Sequence, residues 1–224
     1  ACGGGEQWGL EGPAYYVYAK LSWNPSLDAD ALVEEYCRGL YHAGAPEMKR
    51  FFDLIEARIA VGKATQTVKD QADNDYRVST ASYFPEAYPF WVLDTMDRQL
   101  DTAKKKAAGD DFATQWLALT ELQYRYLKIV ATGFNLYREY QAVRNKTPEL
   151  CGELLAAIDA RKAFLDELDG MKDRKEWLDA WFPKATAYVM TAKTGGVMYG
   201  ELTMRPPFSD AFRKELEKVR ASKK

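Results

Sequence analysis

The chain reads as an all-α protein, a bundle or array of about six to eight helices. Three observations predict this. Apolar residues recur at three- and four-residue steps almost throughout. Alternating β-branched runs, the mark of half-buried strands, are nearly absent. Pro, Gly and Asp punctuate the periodic segments where helices start and stop.

Each element follows from local chemistry. After a glycine-rich opening, Pro13 stands where a first helical turn begins, since proline sacrifices no hydrogen bond there. The aromatic run Ala14 to Trp23 forms that helix, and Asn24-Pro25 ends it by pushing the residue before proline out of the α region. Asp28 or Asp30 caps a second helix reaching about Tyr41, with Leu32, Val33, Tyr36 and Leu40 on one face and Gly44 at its end. Pro46 opens a third, carrying Met48, Phe51, Phe52, Ile55 and Ile59 at helical spacing. From Gly62 to Pro89 the pattern weakens to a long connection with a helical turn near its start. Leu93, Met96, Leu100, Ala103 and Ala107 mark a fourth helix closed by Gly109. Asp110 or Asp111 caps a fifth, running to about Arg144 with Phe112, Trp116, Leu119, Tyr126, Ile129 and Tyr140 inward. Gly133 permits a close helix crossing. Thr147-Pro148-Glu149 starts the next helix, carried by Leu150, Leu154, Ile158, Leu165 and Leu168 and ended by Gly170. A helical piece over Lys175 to Thr191, kinked or split at Pro183, precedes an irregular tail with one short strand. A charged helix from Asp210 to Lys224 closes the chain.

Composition excludes several classes. The 224 residues hold 31 Lys and Arg against 33 Asp and Glu, a net charge of −2, without the basic excess of a nucleic-acid binder. Residues 1–140 carry 15 basic and 20 acidic side chains and the remainder 16 and 13, too mild an asymmetry for DNA binding. No run reaches the ~18 apolar residues of a membrane span, so no membrane partner is expected. One histidine, His42, cannot build a His-His metal site. Cys2, Cys37 and Cys151 are odd in number and lack CxxC spacing, so three plain thiols are expected rather than a disulfide framework. No phosphate-binding glycine loop and no nucleophile elbow occurs, and no cofactor is expected.

Few residues carry chemistry. Glu34-Glu35, Asp110-Asp111 and Asp166-Glu167 offer paired carboxylates, but each falls where a cap or a solvated face is expected. Cys37 and His42 lie on different azimuths of one helix and make no nucleophile pair. Lys104, Lys105 and Lys106 sit at a helix C-terminus, where the macrodipole favours cations. Most of the aromatics fill a helical core. The exceptions are Trp8 with Glu6 and Gln7 in the glycine-rich opening, where an indole beside a carboxylate and an amide suits a polar ligand such as a sugar. These three are the candidate substrate-binding residues. No catalytic residue is assigned.

The stretch Gly4 to Glu56 resembles the C-terminal region of a bacterial glycoside-hydrolase-like family, a domain of unknown function related to the α-glucuronidases. The resemblance rests on the short aromatic helix Tyr16 to Lys20, Leu21-Ser22-Trp23-Asn24-Pro25, the spaced acidic cap Asp28, the helix Tyr36 to Gly44, and Pro46 to Glu56. The family's compact Tyr-Gly turn is here spread over Tyr41-His42-Ala43-Gly44. The resemblance implies that residues 1–25 are the last loop and helix of a (β/α)8 barrel, with a barrel remnant at the N-terminus. Residues 26–224 are then a helical domain packed on that barrel. The chain would be a fragment, its barrel strands and catalytic carboxylates lying upstream. Trp8, Glu6 and Gln7 would line the rim of a saccharide cleft, with an oligo- or polysaccharide bound through the parent protein, outside the cell or in the periplasm. An apolar patch around Tyr15, Tyr18 and Trp23 would be bare in the isolated chain. Two further readings remain open: a free-standing helical binding protein for a carbohydrate or small ligand, with residues 62–89 as its lid, and a ligand-free helical interaction module. An autonomous enzyme has the least support in the residues.

Overall fold

A computed structural model of the chain describes residues 8–64, 80–170 and 207–222. Among these residues the structure is all-α, with no strand. The helices are α1 (Trp8–Trp23), α2 (Ala29–Tyr41), α3 (Ala45–Ala64), α4 (Thr80–Ala87), α5 (Phe90–Lys106), α6 (Asp111–Ala142), α7 (Pro148–Gly170) and α8 (Asp210–Ala221). One 3-10 turn, His42–Gly44, joins α2 to α3. The expected helix over 175–191, the irregular tail and its strand lie outside the described residues, as do Cys2, residues 65–79 of the long connection and the Leu168 side chain.

Side-chain caps start four of the eight described helices. Asp28 accepts the Ala31 N–H at 2.8 Å, Asp110 that of Ala113 at 3.0 Å, Thr147 that of Leu150 at 3.2 Å and Ser209 that of Phe212 at 3.2 Å. Gly109, at φ 90, closes the turn after α5 in the left-handed region that glycine enters without strain. Of the expected inward residues, Tyr36, Met48, Phe51, Phe52 and Leu154 are buried.

Four expectations are corrected. First, α1 starts five residues before Pro13, which lies inside the helix. The side chain of Gln123 on α6 accepts the Leu10 N–H at 2.8 Å and so satisfies a first-turn donor from outside the helix. Second, Thr80–Ala87 is helical although Pro85 falls within it. Contacts from elsewhere hold it: Phe84 stacks on Phe134 at 5.2 Å, Asn135 donates to the Tyr88 carbonyl at 2.8 Å, and Arg58 donates to the Ala87 and Glu86 carbonyls. Third, Phe112 faces outward, 47% exposed, stacked on the His42 ring. Fourth, Gly133 makes room for the Phe208 ring rather than for a crossing helix.

The 32-residue α6 is the spine. At 1.5 Å per residue it spans roughly 48 Å. Its first half enters a large core with α2, α3 and α5, centred on Tyr41, Met48, Phe51, Leu93 and Met96. Its second half forms a smaller core with α7 and α8, from Leu136, Tyr140, Leu154, Phe212 and Leu216. Tyr41 and Thr120 pair their hydroxyls inside the larger core. The Thr120 hydroxyl donates to the Trp116 carbonyl at 3.1 Å, so the Tyr41 hydroxyl, 3.0 Å away, donates to Thr120.

Helix α1 lies close against α2 and α6. Gly9 is buried, and a Cβ there would stand 2.8 Å from both the Leu119 carbonyl and the Gln123 amide. A Cβ on Gly12 would fall on the Tyr36 hydroxyl, whose ring is wedged among Tyr16, Tyr41 and Phe52 and cannot swing aside. Glycine to alanine inside a helix ordinarily gains about 0.5–1 kcal/mol. Gly39→Ala, with open space around it, should show that gain. Gly12→Ala should instead lose about 1–3 kcal/mol from overpacking. Urea unfolding of the two variants checks this, and a stabilised Gly12→Ala would show that α1 is not seated as described.

Candidate functional site

The sequence-predicted site opens the chain. Glu6 and Gln7 lie outside the described residues, and of Trp8 the structure gives only the backbone, which begins α1.

From there, α1 presents two surfaces. Gly9, Gly12, Pro13, Tyr16 and Lys20 fall on one helical stripe and form the contact with α2 and α6. Tyr16 lies 5.7 Å from Tyr36, and both Tyr16 (2.8 Å) and Lys20 (3.2 Å) donate to Glu35. The Tyr16 hydroxyl, then the Lys20 ammonium, hold the Glu35 carboxyl below the usual range. One turn further, Trp23 continues the same stripe past the end of that contact and is 92% exposed. Tyr18, on the opposite side of the helix, is 56% exposed, and Leu27 is exposed in the turn before α2. Of the expected patch of Tyr15, Tyr18 and Trp23, the last two are exposed, on different sides of the helix. Tyr15 is half-buried, its hydroxyl donating to Glu11 of its own helix.

The corner after α2 carries a clasp. His42 has φ 42, the sole positive value at a non-glycine among the described residues. Its ring stacks on Phe112 at 5.4 Å and 18°, and its Nδ1 meets Asp110 Oδ2 at 2.5 Å. Asp110 thus caps α6 through one oxygen and holds His42 through the other. The cap was legible in the sequence but the pairing with His42 was not, because 68 residues separate the two side chains. Cys37 is fully buried and far from nucleophilic: burial pushes its thiol up to about 12.

The other candidates are structural. Glu34 pairs with Arg38 within α2, and Glu167 with Arg125 across α6 and α7 at 2.7 Å. Lys104 and Lys106 sit in the last turn of α5, bound to Glu121 at 2.8 Å and Glu47 at 2.9 Å. Among the described residues no acidic, His and Cys cluster could hold a metal ion, and no helix is long and apolar enough to cross a membrane.

A family model described as a domain of unknown function (DUF4838) matches residues 4–53. The match spans α1, α2, the His42 corner and the start of α3, under a quarter of the chain. Trp23 and the clasp both fall inside it. No curated protein and no solved structure matches the chain.

Two predictions follow from these geometries. The Ala113 N–H, then His42, keep the Asp110 carboxyl below its usual range. Such a group contributes stability above the ordinary aspartate range, and the contribution disappears as pH falls through its lowered value. Asp110→Asn keeps the cap but not the charge. Its acid unfolding profile should be flatter than the wild type's below about pH 4. Parallel profiles would show that the clasp carries no charge-dependent stability. Separately, a thiol reagent at about pH 8 should leave Cys37 and Cys151, both fully buried, unlabelled in the native chain and label both in denaturant. Rapid native labelling of Cys37 would contradict its placement, with peptide mapping as the readout.

Proposed function

We propose that the chain is the helical accessory region of a carbohydrate-active, glycoside-hydrolase-like protein, laid against the flank of a neighbouring (β/α)8 barrel. The observation that carries this reading is Trp23, left 92% exposed on the stripe of α1 whose Gly9, Gly12 and Pro13 are buried against its neighbours. Covering an indole removes roughly 200 Å² from water, about 5 kcal/mol before ordering costs. Tyr18, on the opposite side of the helix, and Leu27, in the turn that follows, are exposed as well, and bare apolar surface of this kind is what an interface missing its partner leaves.

The match over residues 4–53 supports the same reading, because the bare end of α1 lies within it. Barrel active sites open at the C-terminal ends of the strands, on the loops that lead into the helices. If α1 is the helix that follows the last such loop, Glu6, Gln7 and Trp8 stand at the edge of the cleft. There the indole stacks on a sugar face, and the carboxylate and amide bond its hydroxyls. The reaction belongs to carboxylates of the barrel, and the accessory helices support it. Export to the periplasm or the cell exterior accords with such a role.

The intact mass of the native gene product, captured from source cells with an antibody to this chain, tests the proposal. A product well above 25.5 kDa, with a barrel pattern of strands and helices upstream, is expected. A product of 25.5 kDa would overturn it and leave a free-standing helical protein.

A further inference from the structure

We infer that the groove between the C-terminal end of α6 and the first turns of α8 is a binding site for a neutral, polyhydroxylated ligand of one or two sugar rings. The groove measures about 570 Å³, within the range of small-molecule sites. Its floor is aromatic: Phe212 lies edge-on to both Tyr137, at 5.1 Å, and Tyr140, at 5.4 Å.

The walls are held in place before any ligand arrives. The Tyr140 hydroxyl donates to Glu215 Oε1 at 2.8 Å. The Lys146 ammonium sits 4.3 Å above the Tyr140 ring and donates to the Val143 carbonyl at 2.6 Å. Gln141 donates to the Tyr137 hydroxyl at 2.7 Å, and the Ser209 hydroxyl oxygen accepts the Phe212 N–H.

Those bonds leave a mixed set of polar groups along the groove. The Tyr137 and Ser209 hydroxyl protons are available to donate, and the Gln141 amide oxygen and the second Glu215 oxygen to accept. An alcohol group answers both kinds at once. A row of them on an apolar C–H frame matches a groove with a ring floor and alternating donors and acceptors. Lys146 and Glu215 balance in charge, so the groove favours neither an anion nor a cation. Half-buried Tyr137 offers the accessible ring for C–H contact. The inference stands on this groove alone. A chain that joins a barrel yet binds nothing here would overturn it without touching the reading of α1.

Saturation-transfer NMR on the full chain tests it, with cellobiose, xylobiose and maltose as neutral probes, glycerol as a small polyol, and glucuronate and glucosamine as charged ones. Transfer to at least one neutral disaccharide is expected, exceeding that to glycerol and to both charged sugars. Gln141→Ala and Glu215→Gln, both at exposed positions, should weaken that binding about tenfold or more while the helical circular dichroism is unchanged. Absence of transfer to all three disaccharides would overturn the inference. So would binding that neither variant changes, or a preference for a charged sugar.

Discussion

The close seating of α1 on α2 and α6 is the contact on which the arrangement of the N-terminal half depends. It is possible because two residues lack a Cβ: the space at Gly9 belongs to the Leu119 carbonyl and Gln123, and that at Gly12 to Tyr36. Gln123 then satisfies the Leu10 N–H, which lets the helix begin before its proline. With the upper part of α1 fixed in this way, its axis is set. Trp23, at the other end, is left in water. The exposed end of the helix is thus a consequence of how tightly the other end is held.

Helix α6 relays that order along the molecule. Its first half shares one core with α2, α3 and α5, and its second half shares another with α7 and α8. Buried polar groups tie neighbours to it at fixed heights: Thr120 to Tyr41 of α2, Tyr124 to the Leu93 carbonyl of α5, and Asn135 to the Tyr88 carbonyl after α4. Each is directional, and leaving its partner unmet would cost about 1–3 kcal/mol. A helix that slid by one turn along α6 would break them, so register as well as burial is specified.

What the sequence made legible was local. Asp28, Asp110 and Thr147 announce helix starts because a cap needs nothing beyond three following residues. The ends of α1 at Asn24-Pro25 and of α5 near Gly109 are equally short-range. What escaped was decided across long separations. Helix α4 survives its proline because Arg58 and Asn135 supply its terminal bonds, from 29 and 47 residues away. Phe112 faces water because His42 offers it a stacking partner, where periodicity alone turned it inward. The candidate site divides the same way. A bare aromatic end of α1 could be read from its residue content. The groove between α6 and α8 could not, since its two walls are about seventy residues apart and carry no motif.

If Trp23 marks a surface meant to be covered, its solvent access must differ between the isolated chain and the native gene product. Hydroxyl-radical footprinting with peptide-level mass spectrometry measures that access at a single side chain. Trp23 should oxidise readily in the isolated chain and be protected several-fold in the native product, while exposed Trp91, on α5, reacts alike in both. Equal oxidation of Trp23 in the two samples would contradict the account, because the end of α1 would then face water in its natural setting as well.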